Sequence, residues 1–297
     1  MLKKVLIIAC SAVMITCTSQ KELGSSERPV RLALVPGQDS AVLMENGKIL
    51  EKWILQQSGV HVRVQVPVSF VAVVEAMGSE RVDVAILNPF GYILAHEKYG
   101  ATAKLMGVNG EYSQYWGQII TANPNIKKLQ DLNGKKFAFV DPVSTSGYIL
   151  AAKLIQDEKI KLSETIFAGK HDSVVTMVYQ GRVDAGATYN SPSENGVPQD
   201  ARRLVTEQFP DVYEKVRILA KTGPIPGEPV VYRKSFPPEL EKKISLALKS
   251  FSSTPEGGVA LKKLYHLTGF KDCSDKDYDS ARQILLDLGR KVQDLVK

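Results

Sequence analysis

Apolar and polar positions follow two rhythms along this chain. Residues 31–35 and 82–87 are short continuous apolar runs and read as buried strands, whereas 61–68 alternates as a strand with one polar face. Between them, 41–57 sets Leu43, Leu50, Trp53 and Ile54 at helical intervals, and 71–77 and 90–99 read as two further helices. The alternation resumes after a β segment beginning at 118–121 and a turn at 129–134. Strands are predicted at 136–140, 165–168 and 183–188, with helices at 149–156 and 172–180. Residues 216–221 are apolar enough to return the chain to its first half, and 228–233 forms another strand. Helices follow at 237–251, 256–265 and 278–296. In the last, Ile284, Leu285, Leu288, Val292 and Leu295 share one face suited to packing. Alternating β and α elements predict an α/β fold with mostly parallel sheets flanked by helices.

The N-terminus belongs to none of these elements. Met1-Leu2-Lys3-Lys4 precedes an apolar stretch from Val5 to Ile15, the charged start and short core of a secretory signal, too short to span a bilayer. Cys17 and a polar run, 18–27, follow it and resemble a bacterial lipoprotein signal with an acylated cysteine and tether. Thr16 stands where such signals usually carry a smaller residue; Cys10 is a rival acylation position, and an ordinary cleaved signal is the alternative. About 280 residues remain beyond Cys17, more than one typical domain, which predicts two lobes.

Beyond the signal, Cys273 is the sole thiol, which excludes an internal disulfide framework and a CxxC pair. Net charge is +6, and without Lys3 and Lys4 there are 36 basic against 32 acidic residues. That mild excess suits an anionic ligand, but basic residues are dispersed and no basic stripe with aromatics points to nucleic acid. His61, His96, His171 and His266 are scattered, without metal-ligand spacing. No Walker loop or GxSxG elbow occurs, and Lys221-Thr222-Gly223 lacks an SxxK partner. Cys273 lies in a polar stretch without an adjacent histidine and reads as a structural thiol. No catalytic residue, metal or cofactor is therefore expected.

One motif does carry chemistry. Asp141-Pro142-Val143-Ser144-Thr145-Ser146-Gly147-Tyr148 leads from a strand into a helix, where backbone N–H groups are free and the helix dipole is positive. Three hydroxyls there can hold a tetrahedral oxyanion, and Gly147 would let a ligand approach the backbone. A helix cap is the competing explanation, although a cap needs one hydroxyl. His171 stands where another strand meets its helix, as an oxyanion donor or an ordinary helix-start residue.

Residues 131–148, with Ala-Gly-Lys-His-Asp at 168–172, Gly-Arg-Val-Asp-Ala at 181–185 and Ile-Pro-Gly-Glu-Pro-Val-Val-Tyr-Arg-Lys at 225–234, closely resemble the phosphonate-binding proteins of ABC importers. Val-Val-Glu-Ala-Met at 73–77 and Val-Asp-Val-Ala at 82–85 extend the similarity to most of the chain. The resemblance implies a two-lobe type II periplasmic-binding fold, with a signal at 1–17, a tether at 18–28, one lobe from 29–117 plus 223–297 and the other from 118–222. Two crossings would lie near 116–121 and 216–223 and act as hinges.

The resemblance further implies that Ser144, Thr145, Ser146 and Gly147 bind the phosphonate, with Tyr115 and His171 as added donors. Glu194 and Glu228 would receive the ammonium group of an aminoalkylphosphonate such as 2-aminoethylphosphonate; a solvated surface pair is the alternative. Ser69 and Phe70 would line the cleft, Phe70 standing where the family often has a tyrosine. The expected protein is an exported, non-enzymatic envelope receptor, a monomer held to the membrane only by a lipid on Cys17, on the periplasmic side if the cell has an outer membrane. It would deliver its ligand to an ABC permease and bind no nucleic acid. Phosphate, phosphite or an alkylphosphonate are alternative ligands, and sensing for a membrane histidine kinase is an alternative role.

Overall fold

The computed structural model of the chain describes residues 21–289. The signal segment with Cys10 and Cys17, and the apolar positions Val292 and Leu295, lie outside the described residues. Strand β1 (Val30–Leu34) is buried on both faces: Leu32 and Leu34 enter one core and Ala33 another, which is why its apolar run shows no alternation. Helix α1 (Ser40–Ser58) begins where the Asp39 carboxylate accepts from the N–H groups of Ala41 and Val42, at 2.7 and 3.3 Å. It ends at Gly59, whose φ of +70° is the left-handed stop that glycine adopts without a Cβ penalty. Then come β2 (Val62–Gln65), α2 (Phe70–Gly78), β3 (Val84–Ile86), α3 (Pro89–Tyr99) and β4 (Thr102–Val108).

The middle of the chain supplies β5 (Gln114–Thr121), β6 (Lys136–Phe139), α4 (Leu150–Asp157), β7 (Glu164–Phe167), α5 (His171–Tyr179), β8 (Ala185–Glu194), β9 (Val197–Asp200), α6 (Val212–Lys215) and β10 (Arg217–Pro226). It closes with β11 (Pro229–Tyr232), α7 (Pro238–Ser250), α8 (Pro255–Tyr265), β12 (Gly269–Asp272) and α9 (Asp279–Asp287). In α9, Leu285 is buried and Ile284 and Leu288 pack beside it, the apolar face expected from the sequence.

These strands form two sheets, ordered β12-β4-β11-β3-β1-β2 and β10-β5-β8-β6-β7, with β9 hairpinned onto β8. Both sheets are mixed, a correction to the mostly parallel expectation. β1 is parallel to β2 and β3, and β6 to β7 and β8, but every pairing of β4, β5, β9, β10, β11 and β12 is antiparallel. A parallel neighbour needs a crossover connection, and strands that arrive from the other sheet or by a hairpin have none. β4, β9 and β12 lie outside the strands expected from the sequence.

Residues 116–121 and 216–223, expected as the crossings, are instead paired with each other as β5 and β10 inside the second sheet. The chain passes between sheets through 109–113 and 227–228. There the main chains touch: a Cβ on Gly227 would lie 2.1 Å from the carbonyl oxygen of Gly107. One apolar core spans the junction, running from Val35, Phe70 and Tyr92 on the first sheet's side to Val140, Val143 and Val174 on the second's.

Asp83 is a polar exception at the first sheet. Its fully buried carboxylate takes Arg31 Nε at 2.8 Å and Arg233 Nε at 2.9 Å. These pairings outweigh its burial and hold its pKa below the ordinary carboxylate value. No helix among the described residues is long and apolar enough to cross a membrane.

Candidate functional site

A cavity opens between the two sheets. Its volume is about 80 Å³, room for about five to eight waters and so for a small ligand. Ser144, Thr145 and Ser146 line it, each at most 4% exposed. They are placed by the end of β6, which delivers the chain to Asp141; Asp141 Oδ1 accepts from Val143 N–H at 2.9 Å and its carbonyl from Ser144 N–H at 2.9 Å. The helix then opens with a widened turn in which Ile149 N–H reaches back five residues to the Ser144 carbonyl at 3.0 Å.

The three hydroxyls have different duties. Ser144 Oγ accepts from Gly147 N–H at 3.2 Å, so it caps this helix while lining the cavity. Thr145 Oγ1 donates to Asn88 Oδ1 at 3.0 Å and accepts from Phe90 N–H at 3.2 Å, bonds that join the second sheet's turn to the start of α3. Glu228, Ser146 and Thr145 stand around the Tyr115 phenol. Burial, followed by the charge of Glu228, pushes that phenol well above its ordinary pKa and keeps it a donor.

Gly147 does not line the cavity. A Cβ there would meet Val140 Cγ2 at 2.4 Å, so glycine is required for packing of the turn on the strand before it. His171 begins α5 and lines the cavity; its N–H donates to the Gly37 carbonyl at 3.0 Å, and its ring stands edge-on to Tyr189 at 4.9 Å. Burial lowers its pKa from 6.5 to about 3, leaving a neutral imidazole whose Nδ1 has no partner. Phe70 faces the cavity, while Ser69 caps α2 through Ala72 N–H at 3.1 Å and is absent from the lining.

The two expected carboxylates part company. Glu228 opens on the cavity, and burial raises its pKa from 4.5 to about 7. Glu194 is outside the lining and pairs with Lys262 Nζ of α8 at 2.5 Å. The reason is local: Asn195 and Gly196 have φ of +50° and +78°, a tight hairpin turn that carries Glu194 to the tip of β8 and β9. Cys273 is likewise remote, and burial raises its thiol to about 11, the state of an inert thiol.

Among the described residues, four buried side-chain polar atoms lack a hydrogen-bond partner: Asn88 Nδ2, His171 Nδ1, Arg203 Nε and His266 Nε2. All four belong to residues lining this one cavity. Arg203 and His266 were not anticipated as site residues. The second of two adjacent arginines and an isolated histidine carry no spacing signal, since distant strands and helices bring them together. No group of three or more His, Cys, Asp or Glu side chains suited to a metal occurs among the described residues.

Two α/β sheets enclosing a polar cavity, joined by two passages of chain, define the class of type II periplasmic binding proteins. Solved structures share this fold. A binding-protein component of an ABC phosphonate transporter from Pseudomonas aeruginosa superposes with a TM-score of 0.77 at 19% identity, covering 87% of this chain and 86% of that one. PhnD1 of Prochlorococcus marinus in complex with methylphosphonate gives 0.74 at 16% identity, covering 88% and 98%.

By sequence, the phosphate-import protein PhnD of Mycolicibacterium smegmatis is 28% identical over 306 aligned positions, covering 93% of this chain and 92% of that protein. The phosphonates-binding periplasmic protein of Escherichia coli is 25% identical over 238, covering 77% and 67%. Residues 32–278 match the family described as ABC transporter, phosphonate, periplasmic substrate-binding protein, and the chain belongs to that family. It is an exported substrate-binding protein of a transport system and not an enzyme.

Proposed function

We propose that this protein captures a small phosphorus oxyanion between its two sheets, with Ser144, Thr145, Ser146, Tyr115 and His171 around the phosphorus group, and hands it to an ABC permease. The observation that carries this reading is the hydroxyl-lined turn of Ser144, Thr145 and Ser146 facing one cavity together with two unpartnered buried atoms, Asn88 Nδ2 and His171 Nδ1. Each such group costs roughly 1–3 kcal/mol when left unsatisfied in a closed site. An oxyanion relieves that cost only when both sheets reach it, so binding favours closure and the closed form signals occupancy. The moving lobes are those built on the two sheets, the second running from residue 114 to 226 rather than 118 to 222. Acylation of Cys17 would hold the receptor at the membrane.

The relatives named for phosphate and for phosphonates share a phosphorus oxyanion as ligand, which supports the same chemistry here. An aminoalkylphosphonate rests on Glu228 alone to receive the ammonium, because Glu194 is paired with Lys262 away from the lining. Titration calorimetry with phosphate, phosphite, methylphosphonate and 2-aminoethylphosphonate tests the reading. At least one of them is expected to bind, and replacing Ser144 and Ser146 together by alanine is expected to abolish binding. The thermal transition of the ligand-free variant should fall only by the loss of one cap, about 1 kcal/mol. A collapsed transition would leave the turn with a capping role only.

A further inference from the structure

The cavity contains a cationic side chain that the grip on a phosphorus group does not use. Arg203 lies in the helical turn 201–205 after the β8–β9 hairpin and lines the cavity. Asp200, three residues before it, has both oxygens occupied by Arg202: Oδ1 accepts from Arg202 N–H and Nε at 3.0 and 2.9 Å, and Oδ2 from Nη2 at 2.8 Å. Arg203 forms no ion pair among the described residues. It stands beside the Tyr189 phenol, and its buried Nε has no acceptor.

His266 meets it from the first sheet's side. This residue ends α8 in a left-handed conformation, φ +58°, which turns its ring inward; it is 4% exposed, and its Nε2 has no partner. Burial and the nearby charge of Arg203 lower its pKa to about 4. The basic residue one turn earlier, Lys262, is already paired with Glu194. Glu228, the acid of the cavity, is engaged by Tyr115 beside Ser146. Thus Thr145, Ser146, Tyr115 and Glu228 form one group, and Arg203 and His266 another, with Tyr189 between Arg203 and His171. A partly buried guanidinium whose buried Nε lacks an acceptor, with no carboxylate paired to it, calls for an anion from outside the chain.

We propose that Arg203 and His266 form a second anion-recognising pole, so that the ligand carries, besides its phosphorus oxyanion, a second negatively charged oxygen group such as a carboxylate or another phosphoryl. The inference rests on the phosphorus-oxyanion reading above and narrows it to a doubly anionic ligand. A ligand of that kind, with a one-carbon spacer, suits the small volume of the cavity.

Calorimetric titration of the purified protein with methylphosphonate, phosphonoacetate and methylenediphosphonate tests it. One of the two doubly anionic compounds is expected to bind about tenfold tighter than methylphosphonate or better, a preference of the size a charge-assisted contact supplies; which one it is tells carboxylate from phosphoryl. Arg203→Met should remove that preference and leave methylphosphonate affinity nearly unchanged, and His266→Gln should reduce it. Equal affinities in the unmodified protein overturn this inference alone, whatever the folding of the variants. An equal loss for all three ligands in Arg203→Met also overturns it, placing Arg203 on the phosphorus group. Failure of every phosphorus compound to bind overturns both readings.

Discussion

The hydroxyl of Thr145 donates to Asn88 Oδ1 at 3.0 Å, and so the turn that opens α4 is bonded across the cavity to the cap of α3. The bond spans the two sheets, which makes it a contact of the closed arrangement as well as a part of the site. Thr145→Val keeps the side-chain shape and removes the hydroxyl. Affinity is expected to fall about fivefold or more for every phosphorus ligand alike, since a typical hydrogen bond contributes about 0.5–1.5 kcal/mol. A double-mutant cycle with Asn88→Ala, read by calorimetry, should show a coupling of that size; additive losses would mean that the bond does not form in the liganded state.

The pair between Glu194 and Lys262 separates two roles for Glu194. It joins the β8–β9 hairpin to α8 at a half-exposed position, where such pairs contribute at most about 1 kcal/mol. Glu194→Gln is expected to weaken all ligands by the same small factor. A selective loss for 2-aminoethylphosphonate in the same titrations would return Glu194 to the amine-binding role.

Stability should respond to pH in two opposed ways. Glu228 has its folded pKa raised from 4.5 to about 7, so the native state holds more protons across that window and stability falls as pH rises through it. His171 and His266 are depressed from 6.5 to about 3 and about 4. For them the unfolded chain holds more protons below 6.5, and stability rises with pH up to that value. Thermal melts of the ligand-free protein between pH 5 and 8 check both. The advantage of Glu228→Gln over the parent should grow toward pH 8, whereas His171→Gln should gain its advantage at pH 5.

Asp83 tests the scaffold apart from the site. Asp83→Ala would leave Arg233, only 9% exposed, without its buried partner, and would free Arg31 at the surface. A loss of about 3–5 kcal/mol in chemical denaturation is expected. Ligand affinity at low temperature should stay within about twofold, because Asp83 is absent from the cavity lining.

Local pattern made much of this protein legible. The capped helix α1 with Leu43, Leu50 and Ile54 buried, and the doubly buried strands β1 and β3, follow directly from apolar periodicity. β4 was not, because its burial alternates at Thr102–Leu105 and then runs on through Met106 and Gly107, mixing two rhythms in one strand. The directions of β4, β5, β10 and β11 were hidden as well, being set by passages between sheets rather than by any local pattern.

In the site, Ser144, Thr145, Ser146, Tyr115, His171 and Glu228 line one cavity; the motif at 141–148 pointed to the three hydroxyls, whereas Tyr115 and Glu228 were implied only by the family resemblance. Glu194 shows how a motif can mislead. Asn195-Gly196 beside it is a strong hairpin signal, and a residue next to such a turn points away from the strand ends that hold ligands. Arg203 and His266 had no signal, since neither belongs to a pattern and their meeting depends on the packing of α8 against the second sheet's hairpin.

The contact between Gly227 and Gly107 bears on how such a receptor can change over evolution. Backbone meets backbone there with no side chain between, so the spacing between β4 and the passage that leads into β11 is fixed by atoms that every substitution elsewhere leaves intact. The pocket can be rewritten residue by residue while its frame keeps the same gauge.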